Sequence, residues 1–555
     1  MIFLCFCASL LLKYIFTVLI PTLPPGWNTG LAMNKLQLAT CRKLRTQRNT
    51  GKQQKSLKKC EGNFTLYKEM PSQQSSFHTF SNAAETEDFR KRLLNWYHKC
   101  KRDLPWRKLA ASEGDADRRA YAVWVSEIML QQTQVTSVID YYNRWMQKWP
   151  TLQDLAEASL EEVNELWAGL GYYSRGKRLQ EGAHKLVSQM AGHMPRTAEE
   201  LQKLLPGVGK YTAGAIASIA FGQVTGVVDG NVIRVLCRAR AIGADPISSS
   251  VADRLWTLAH TLVDPSHPGD FNQAMMELGA TVCTPKTPLC MECPVKQHCR
   301  AHYKVEKEQA ASVKRLLGKA TSKSPQVLDV EECAASTTGS CSLCLPPSEP
   351  WDPNLGVANF PRKTAKKQPR IECTATCVLQ RSCGDGKPKY LIVQRPATGL
   401  LAGLWEFPSL LLEPGQEKQH KAALADHLQA WVGSEVTVGH LQHVGEVLHI
   451  FSHIRQTYVI YFLNLDKDEG NRDMEMELPA SRWVNETEFQ NSAISTAMKK
   501  VLKAYEKWNS TVSATKIVKR KRDFLHASHT MPEEEGSSSK RQLSLDSFLA
   551  ANPRN

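Results

Sequence analysis

Four cysteines stand close together in the chain, at Cys283, Cys290, Cys293 and Cys299, in the spacing C-x6-C-x2-C-x5-C. They fall within 17 residues, so the short loops between them can wrap around one cluster or metal ion. Iron–sulfur clusters take four cysteine ligands in local runs of this kind. Zinc is the competing occupant, although its sites usually combine two C-x2-C pairs and this spacing contains only one, Cys290 and Cys293. Four unliganded core cysteines are the remaining alternative.

Two acidic residues lie where a carboxyl group could do acid–base chemistry. Glu127 lies in an otherwise apolar helical pattern, with Trp124, Ile128, Met129 and Leu130 around it. Burial raises the pKa of a carboxyl group, so it can keep a proton near neutral pH as a general acid must. Asp229 lies in Val227-Val-Asp-Gly-Asn-Val232, where the next helix is predicted to begin. The structural alternatives are a salt-bridged helix glutamate for the first and an N-cap for the second.

A glycine-rich turn precedes the acidic motif by ~20 residues, as Leu205-Pro-Gly-Val-Gly209, and leads into a small-residue helix. Glycines let the backbone approach a phosphate, and the helix N-terminus that follows offers free N–H donors to it. Such contacts hold DNA without reading its sequence. A lone Gly-x-Gly is more often only a turn, but here an acidic motif and a cysteine quartet follow. The predicted DNA-contacting residues are Gly207, Val208 and Gly209.

Two of these motifs resemble those of a known family. The cysteine spacing after a helical region resembles the endonuclease III-like DNA glycosylases, as does the glycine hairpin. Within them, Ser126-Glu-Ile-Met-Leu-Gln-Gln-Thr-Gln-Val135 resembles the signature of the MutY-type adenine DNA glycosylases, in a mammal-like form. The resemblance covers residues 86–300 and 371–508. It implies a [4Fe–4S] cluster on the four cysteines and, as substrate, double-stranded DNA with adenine opposite 8-oxoguanine or guanine.

The resemblance also implies roles for single residues. Glu127 would protonate adenine at N7 and later activate water, while an ionised Asp229 would stabilise the positive charge that develops on the sugar. Tyr211 would hydrogen-bond within the site. The adenine must first leave the base stack. Gln132 would wedge into the duplex and Tyr172 would lie beside the opposite lesion, although Tyr172 also fits an ordinary half-buried helix aromatic.

The residue after the hairpin separates two classes within this family. Bifunctional relatives carry there a lysine that attacks the sugar and cleaves the strand, whereas this chain has Tyr211, with Lys210 one residue earlier. One helical residue is a rotation of ~100°, so Lys210 should point elsewhere. We therefore predict a monofunctional enzyme that leaves an abasic site. The alternatives are an endonuclease III-like glycosylase and abasic-site lyase, and a non-catalytic iron–sulfur DNA-binding or partner module.

The C-terminal half resembles the Nudix-like domain of MutY proteins, through Gly399–Pro408 and Phe451-Ser-His453. The resemblance implies that Phe451, Ser452 and His453 inspect 8-oxoguanine. A Nudix phosphohydrolase is the rival, but its Mg²⁺ motif needs acidic residues at positions that are here His427, Ala430 and Trp431. Hard cations need carboxylate oxygens, so we expect no hydrolysis by this domain. A dimerisation or partner module is the structural alternative.

The sequence pattern indicates successive helices with few β-branched runs over residues 84–300, and short strands with intervening helices over residues 371–508, and the family resemblance implies the same two kinds of domain. The fold class that we predict is an all-α helix-hairpin-helix glycosylase domain with an iron–sulfur loop, followed by an α+β Nudix-like domain. The predicted divisions are a basic, mostly disordered N-terminal segment at 1–83, the helical domain at 84–300, a linker at 301–370, the Nudix-like domain at 371–508 and a disordered basic tail at 509–555.

The linker contains a second group of cysteines, Cys333, Cys341 and Cys344, in the spacing C-x7-C-x2-C. Three thiols need a fourth ligand to complete a zinc site. Resemblance to mammalian relatives makes His78 the candidate. The pattern predicts one structural zinc, with free surface thiols as the alternative.

Short motifs in the tail point to partners. Gln542-Leu-Ser-Leu-Asp-Ser-Phe-Leu549 matches the sliding-clamp pattern Q-x-x-[aliphatic]-x-x-[aromatic], with a leucine in place of a second aromatic residue. Lys516-Ile-Val-Lys-Arg-Lys-Arg522 suits nuclear import, with a solvated tail as its alternative. The family resemblance adds the checkpoint clamp, replication protein A, an abasic-site endonuclease and mismatch-recognition proteins as partners. We expect a monomer.

The charge distribution concerns targeting more than chemistry. The chain of 555 residues carries a net charge of +15, and ten Lys and Arg residues without any acidic residue fall within residues 1–60. Such a segment is typical of a mitochondrial presequence, or of a nucleic-acid-binding or nuclear-import tail. This segment begins with the apolar run Met1–Ile20, and Met33 offers a second possible start that would omit that run. We predict nuclear and mitochondrial locations and no stable membrane partner.

Overall fold

The computed structural model describes a defined part of the chain. The described residues are 76–80, 82–316, 333, 341–363, 368–382, 387–413, 419–432, 436–465 and 480–527. The basic segment at residues 1–60, which includes the apolar run Met1–Ile20, and the clamp motif Gln542–Leu549 lie outside the described residues. Among the described helices, none combines the length and the hydropathy that a membrane crossing requires.

The first domain is helical, which confirms that part of the predicted fold class. Its helices are α1 (Ala83–Cys100), α2 (Pro105–Ser112), α3 (Ala116–Leu130), α4 (Val135–Lys148), α5 (Leu152–Glu157), α6 (Leu160–Trp167), α7 (Ser174–Met190), α8 (Ala198–Leu204), α9 (Lys210–Phe221), α10 (Gly230–Ala239), α11 (Ser249–Leu262), α12 (Pro268–Thr281) and α13 (Arg300–Leu316). Capping boxes begin α5, at Thr151 and Asp154, and α6, at Ser159 and Glu162. They satisfy N–H groups that a helix start leaves free.

Two hydrophobic cores divide this domain into lobes. The first lobe contains α2 to α9, and its core includes the buried side chains of Trp124, Trp145 and Trp167. In the second lobe, α1 packs against α10 to α13. Glu127 belongs to α3 of the first lobe, and Asp229 precedes α10 of the second. The two carboxyl groups therefore come from different lobes.

The second domain is α+β, as predicted. Its strands are β1 (Arg370–Ser382), β2 (Pro388–Gln394), β3 (Trp405–Glu406), β4 (Ser409–Leu412), β5 (Gln442–Ile450), β6 (Ile454–Asn464) and β7 (Ser481–Val484), and its helices are α14 (His420–Val432), α15 (Glu486–Asn491) and α16 (Thr496–Ala527). The strand order is β3-β2-β1-β6-β5, with β4 paired to β1 and β7 to β2. The β1–β6 pair is parallel and the other pairs are antiparallel.

Side-chain alternation along β1 builds one core on each face of this sheet. Cys377 and Leu379 pack with α14, whereas Val378 packs with α16. Phe451, at the end of β5, packs against the second of these cores, which is continuous with the core of the first helical lobe.

The structure corrects the predicted limits of the linker and tail. The predicted linker starts inside α13, and residues 341–363 pack on the second lobe, where Leu343 and Phe360 are buried. The predicted tail starts inside α16, which continues to Ala527. Neither helix contains Gly or Pro, and both are rich in Lys and Ala, so nothing in the sequence ends them earlier. The N-terminal segment also contributes to the fold, since Phe80 lies in the core of the second lobe.

Candidate active site

Glu127 is a buried carboxyl group in the middle of α3, with its side chain 6% exposed. The phenol of Tyr211, on α9, donates a hydrogen bond to Glu127 Oε2 at 2.8 Å. Burial raises the pKa of Glu127 to about 7, the Tyr211 hydrogen bond opposes this rise, and the nearby charge of Asp229 adds to it. A group with this pKa can hold or release a proton near neutral pH.

Asp229 is the N-cap of α10. Its Oδ1 accepts a hydrogen bond from the Val232 N–H at 2.7 Å, and its Oδ2 accepts one from Asn231 Nδ2 at 2.8 Å. Burial raises the pKa of Asp229, while these hydrogen bonds lower it and favour the carboxylate. The two alternatives for Asp229 are therefore compatible, because the capping residue also lines the cavity that contains Glu127.

One cavity of about 670 Å³ brings the predicted site residues together. Its lining includes Glu127, Gln132, Tyr172, Tyr211 and Asp229. The two carboxyl groups and the phenol thus face the same space as the two residues predicted to probe DNA.

An ion network around the buried carboxylate of Glu277 also lines this cavity, and the sequence analysis did not predict it. Glu277 on α12 is 1% exposed and accepts hydrogen bonds from Arg102 at 2.7 Å and Arg107 at 2.8 Å. Burial by itself would raise the pKa of Glu277, but the two arginines lower it to about 2. Two buried glutamates therefore line one cavity with opposite protonation preferences. The segment Arg102–Arg107, which has an arginine at each end, is the sequence feature that could have indicated this network.

The glycine hairpin has the conformation that its sequence predicts. Gly207 has φ of +76°, and a Cβ there would lie 2.7 Å from the Arg178 side chain. Val208 is buried, and Gly209 caps α9. The Lys210 ammonium lies 4.1 Å from the centre of the Trp256 ring, while Tyr211 reaches Glu127. The two neighbouring side chains therefore point in different directions, as the helical rotation predicted.

The residues predicted to probe DNA lie on two strained turns. Gln132 has φ of +55° and Tyr172 has φ of +48°, in the left-handed region that non-glycine residues rarely adopt. The hydroxyl groups of Tyr172 and Ser452 are hydrogen-bonded to each other. Phe451 is partly buried, whereas Ser452 and His453 are exposed. The helical and Nudix-like domains therefore meet at this loop.

A second contact joins the two domains at Glu161, on α6. Its Oε1 accepts a hydrogen bond from Trp405 Nε1 at 3.2 Å and lies 3.1 Å from the Arg482 guanidinium. Arg482 also stacks over the Trp405 ring. This contact holds the sheet domain against the lobe that carries Tyr172.

The four predicted cluster cysteines line one small cavity. Arg238 donates to Cys283 Sγ at 3.3 Å. Burial raises the pKa of Cys293 and of Cys299 to about 12, so a bound cation would be needed to stabilise the thiolates. Four convergent thiols with a guanidinium donor fit an iron–sulfur cluster.

A chain of hydrogen bonds joins the cysteine loop to Asp229. Arg234 donates to the Cys283 carbonyl at 2.7 Å and to Asn231 Oδ1 at 2.7 Å, and Asn231 in turn donates to Asp229. The cysteine loop therefore helps to orient a carboxyl group of the site.

The second metal-ligating group is assembled from distant parts of the chain. Ligand atoms of His78, Cys333, Cys341 and Cys344 all lie within 4.8 Å of one another. His78 Nδ1 lies 2.8 Å from the Arg240 carbonyl, which leaves Nε2 facing Cys344 Sγ at 3.3 Å. Burial lowers the pKa of His78 to about 4, which favours the neutral imidazole that binds metals. Three thiols and one imidazole fit tetrahedral zinc.

Comparisons with known proteins agree with this geometry. Residues 125–260 match the family model described as HhH-GPD superfamily base excision DNA repair protein, and residues 377–504 match the NUDIX domain model. The adenine DNA glycosylase of Rattus norvegicus is 61% identical over 432 residues, which cover 78% of this chain and 80% of the rat protein. The chain belongs to the adenine DNA glycosylase family. It is a hydrolase that acts on DNA.

Two further proteins are similar to this glycosylase. The Homo sapiens adenine DNA glycosylase is 62% identical over 432 residues, which cover 78% of this chain and 76% of the human protein. A solved complex between the C-terminal domain of mouse MUTYH and human PCNA matches with 47% identity and a TM-score of 0.22, covering 25% of this chain and 91% of that one.

The positions predicted to correspond to the Mg²⁺ motif of a Nudix phosphohydrolase lie on α14 of this glycosylase. On α14, the rings of His427 and Trp431 are in edge-to-face contact, with centroids 4.8 Å apart. An aromatic pair offers no carboxylate oxygens to a hard cation.

Proposed function

We propose that this glycosylase excises adenine opposite 8-oxoguanine, and also opposite guanine, and leaves an abasic site without cutting the strand. The observation that carries the proposal is the pair of carboxyl groups in one cavity. Glu127 has a pKa of about 7, whereas Asp229 is hydrogen-bonded by donors that favour its carboxylate. These two environments suit a carboxylic acid that protonates a leaving group and a carboxylate that stabilises positive charge.

The chemistry follows from these two protonation states. Adenine leaves the base stack and enters the cavity, where the protonated Glu127 donates to N7 and makes the base a better leaving group. The sugar gains oxocarbenium character as the glycosidic bond breaks, and the Asp229 carboxylate stabilises it. Glu127, now ionised, accepts a proton from the attacking water. Tyr211 holds the Glu127 carboxyl in place through its hydrogen bond.

The absence of strand cleavage rests on the residue at the start of α9. A lyase needs an amine that reaches the sugar carbon, but Tyr211 occupies the direction towards Glu127. The Lys210 ammonium lies over Trp256 instead. Among the described residues, the position beside Glu127 therefore holds a phenol in place of the lysine amine that a bifunctional enzyme would require.

Reading of 8-oxoguanine is assigned to the place where the two domains meet. An adenine opposite 8-oxoguanine is chemically normal, so specificity must come from the opposite base. Tyr172 and the loop of Phe451, Ser452 and His453 lie where the two domains meet. The hydroxyl groups of Tyr172 and Ser452 are hydrogen-bonded to each other there. Replacing Ser452 by Ala should lower the ratio of excision rates opposite 8-oxoguanine and guanine. Ser510→Ala, an exposed serine on α16, should leave the ratio unchanged, and an unchanged ratio for both variants would contradict the assignment.

Two metal centres belong to the proposal. Cys283, Cys290, Cys293 and Cys299 would hold a [4Fe–4S] cluster, which, when bound, fixes the shape of the loop and supplies no reacting atom. His78, Cys333, Cys341 and Cys344 would hold one structural zinc. The supporting observations are the shared cavity of the first four residues and the close ligand atoms of the second four.

Partners and location remain sequence-based proposals. The sliding clamp would bind Gln542–Leu549, and Phe548→Ala should abolish binding of that peptide to the clamp. The checkpoint clamp, replication protein A, an abasic-site endonuclease and mismatch-recognition proteins are proposed as further partners of a monomeric enzyme. Nucleus and mitochondrion are the proposed locations.

A further inference from the structure

Arg175 is a buried arginine on α7 that no motif singled out. Its side chain is 5% exposed. Among the described residues, its hydrogen-bond acceptors are main-chain carbonyls, on two separate turns. A buried guanidinium is costly to desolvate, so a site that keeps one makes use of its fixed set of donors.

The first turn is the one that carries Gln132. Arg175 Nη1 donates to the carbonyls of Ile128 at 3.0 Å, Met129 at 2.8 Å and Gln131 at 2.5 Å. These carbonyls lie at the C-terminal end of α3, where a helix leaves its acceptors free and its dipole favours a cation. The guanidinium thus fixes the backbone immediately before Gln132.

The second turn is the one that carries Tyr172. Arg175 Nη2 donates to the Gly171 carbonyl at 2.9 Å, and Nε lies 3.4 Å from the Tyr172 carbonyl. The guanidinium also stacks over the Tyr172 ring, with 5.3 Å to the ring centre. One side chain therefore contacts the backbone of both turns and the ring of one predicted reader.

Both turns need such support, because Gln132 and Tyr172 have left-handed backbone conformations. These conformations persist in non-glycine residues only where the surrounding structure determines them. Arg175 is the common element, since its planar fork can satisfy carbonyls on both sides at once.

We propose that Arg175 is a positioning residue that sets the distance between the wedge residue Gln132 and the lesion reader Tyr172. It acts through the two turns, at the edge of the cavity that its own side chain also helps to line. This inference rests on the proposed roles of Gln132 and Tyr172 in DNA recognition.

The test uses Arg175→Lys in the full-length enzyme, since lysine keeps the charge but loses the fork. Arg119→Lys is the matched control, because Arg119 also donates to main-chain carbonyls, of Ala220 and Glu113, in the same lobe but away from both turns. The single-turnover preference for 8-oxoguanine over guanine should fall about tenfold or more in Arg175→Lys, as expected for loss of a charged hydrogen bond. The control should keep the wild-type preference.

A second measurement separates this inference from the proposed function. 2-Aminopurine placed beside the mispair reports unstacking by the wedge, whatever the opposite base. Binding of wild-type enzyme should raise the fluorescence, and Arg175→Lys should reduce that rise. If the wild type shows no preference for 8-oxoguanine, the proposed function fails while the fluorescence still decides the role of Arg175.

A purely structural role predicts a different outcome. In that case both excision rates would fall together, the preference would stay intact and the fluorescence rise would persist, which would overturn the inference. The pH dependence of the rate should not move in either variant, because Glu127 is untouched. If Arg175→Lys does not fold, Arg175→Gln, which can donate to one turn only, gives the same readouts.

Discussion

Replacing Glu127 by Gln should make the protein more stable while it destroys activity. The raised pKa of about 7 means that folding favours the protonated carboxyl. In the unfolded chain the glutamate has its ordinary pKa of 4.5 and therefore loses its proton at a lower pH than in the folded protein. The free energy of unfolding therefore falls as the pH rises from about 4.5 to 7. The difference of 2.5 pH units corresponds to about 3 kcal/mol at pH 8. Glutamine carries no proton to lose and avoids this cost.

The assay is urea unfolding of wild type and Glu127→Gln at two pH values. We expect the variant to be more stable by about 3 kcal/mol at pH 8 and by about 1.4 kcal/mol at pH 5.5, where the wild-type carboxyl is ionised in the unfolded chain but mostly protonated in the folded protein. Its single-turnover excision rate should fall by about 10²–10⁴-fold or more. DNA binding should persist.

Glu277→Gln is the matched control, since Glu277 is equally buried but has its pKa lowered to about 2 by two arginines. The same substitution should there destabilise the protein, by about 3 kcal/mol at pH 7, because the carboxylate is the form that folding favours. The assignment of a protonated Glu127 would be refuted if Glu127→Gln were less stable than the wild type at pH 8. It would also be refuted if the variant and the wild type had the same stability at pH 8 and at pH 5.5.

Three further substitutions test the Tyr211 hydrogen bond, the contact between the two domains and the second metal-ligating group. Tyr211→Phe removes a hydrogen bond that lowers the pKa of Glu127, so the pH at which the excision rate falls should rise by about 1–2 pH units. Tyr142→Phe, which changes a buried tyrosine elsewhere, is the control and should leave this pH unchanged. A shift of the Tyr211→Phe profile to lower pH would contradict the assignment. Glu161→Ala should lower the preference for 8-oxoguanine about two- to fivefold by loosening the domain contact, as expected for a partly exposed pair, and an unchanged preference would remove Glu161 from the account. Cys341→Ser should remove about one zinc per protein in metal analysis and leave the iron content unchanged, and equal zinc in the variant and wild type would show that the linker site is not zinc.

Much of this site could be predicted because its residues lie in short local motifs. The cysteine spacing, the glycine hairpin and the Glu127 segment each contain their own chemistry within a few residues. The family resemblance of these motifs, and of Gly399–Pro408 and Phe451–His453, likewise implied the two domain types. The role of Asp229 could not be predicted from its position alone, because an aspartate at the start of a helix is expected both for capping and for catalysis.

The rest depended on contacts between distant parts of the chain. Arg175 is one basic residue in a helix, and nothing local shows that its guanidinium meets carbonyls from α3. The ion pair between the buried Glu277 and Arg102 joins residues 175 positions apart. The helices that extend into the predicted linker and tail were missed because lysine-rich polar composition suits both disorder and a solvated helix.

The central claim is tested most directly by one measurement. Purified enzyme is mixed in excess with duplexes that carry adenine opposite 8-oxoguanine, guanine or thymine, and base release and strand breaks are followed in one time course, with and without alkali. We predict adenine release that is fastest opposite 8-oxoguanine, slower opposite guanine and negligible opposite thymine, with strand breaks only after alkali. Strand breaks that accumulate without alkali as fast as adenine is released, or equal rates for the three duplexes, would contradict the account.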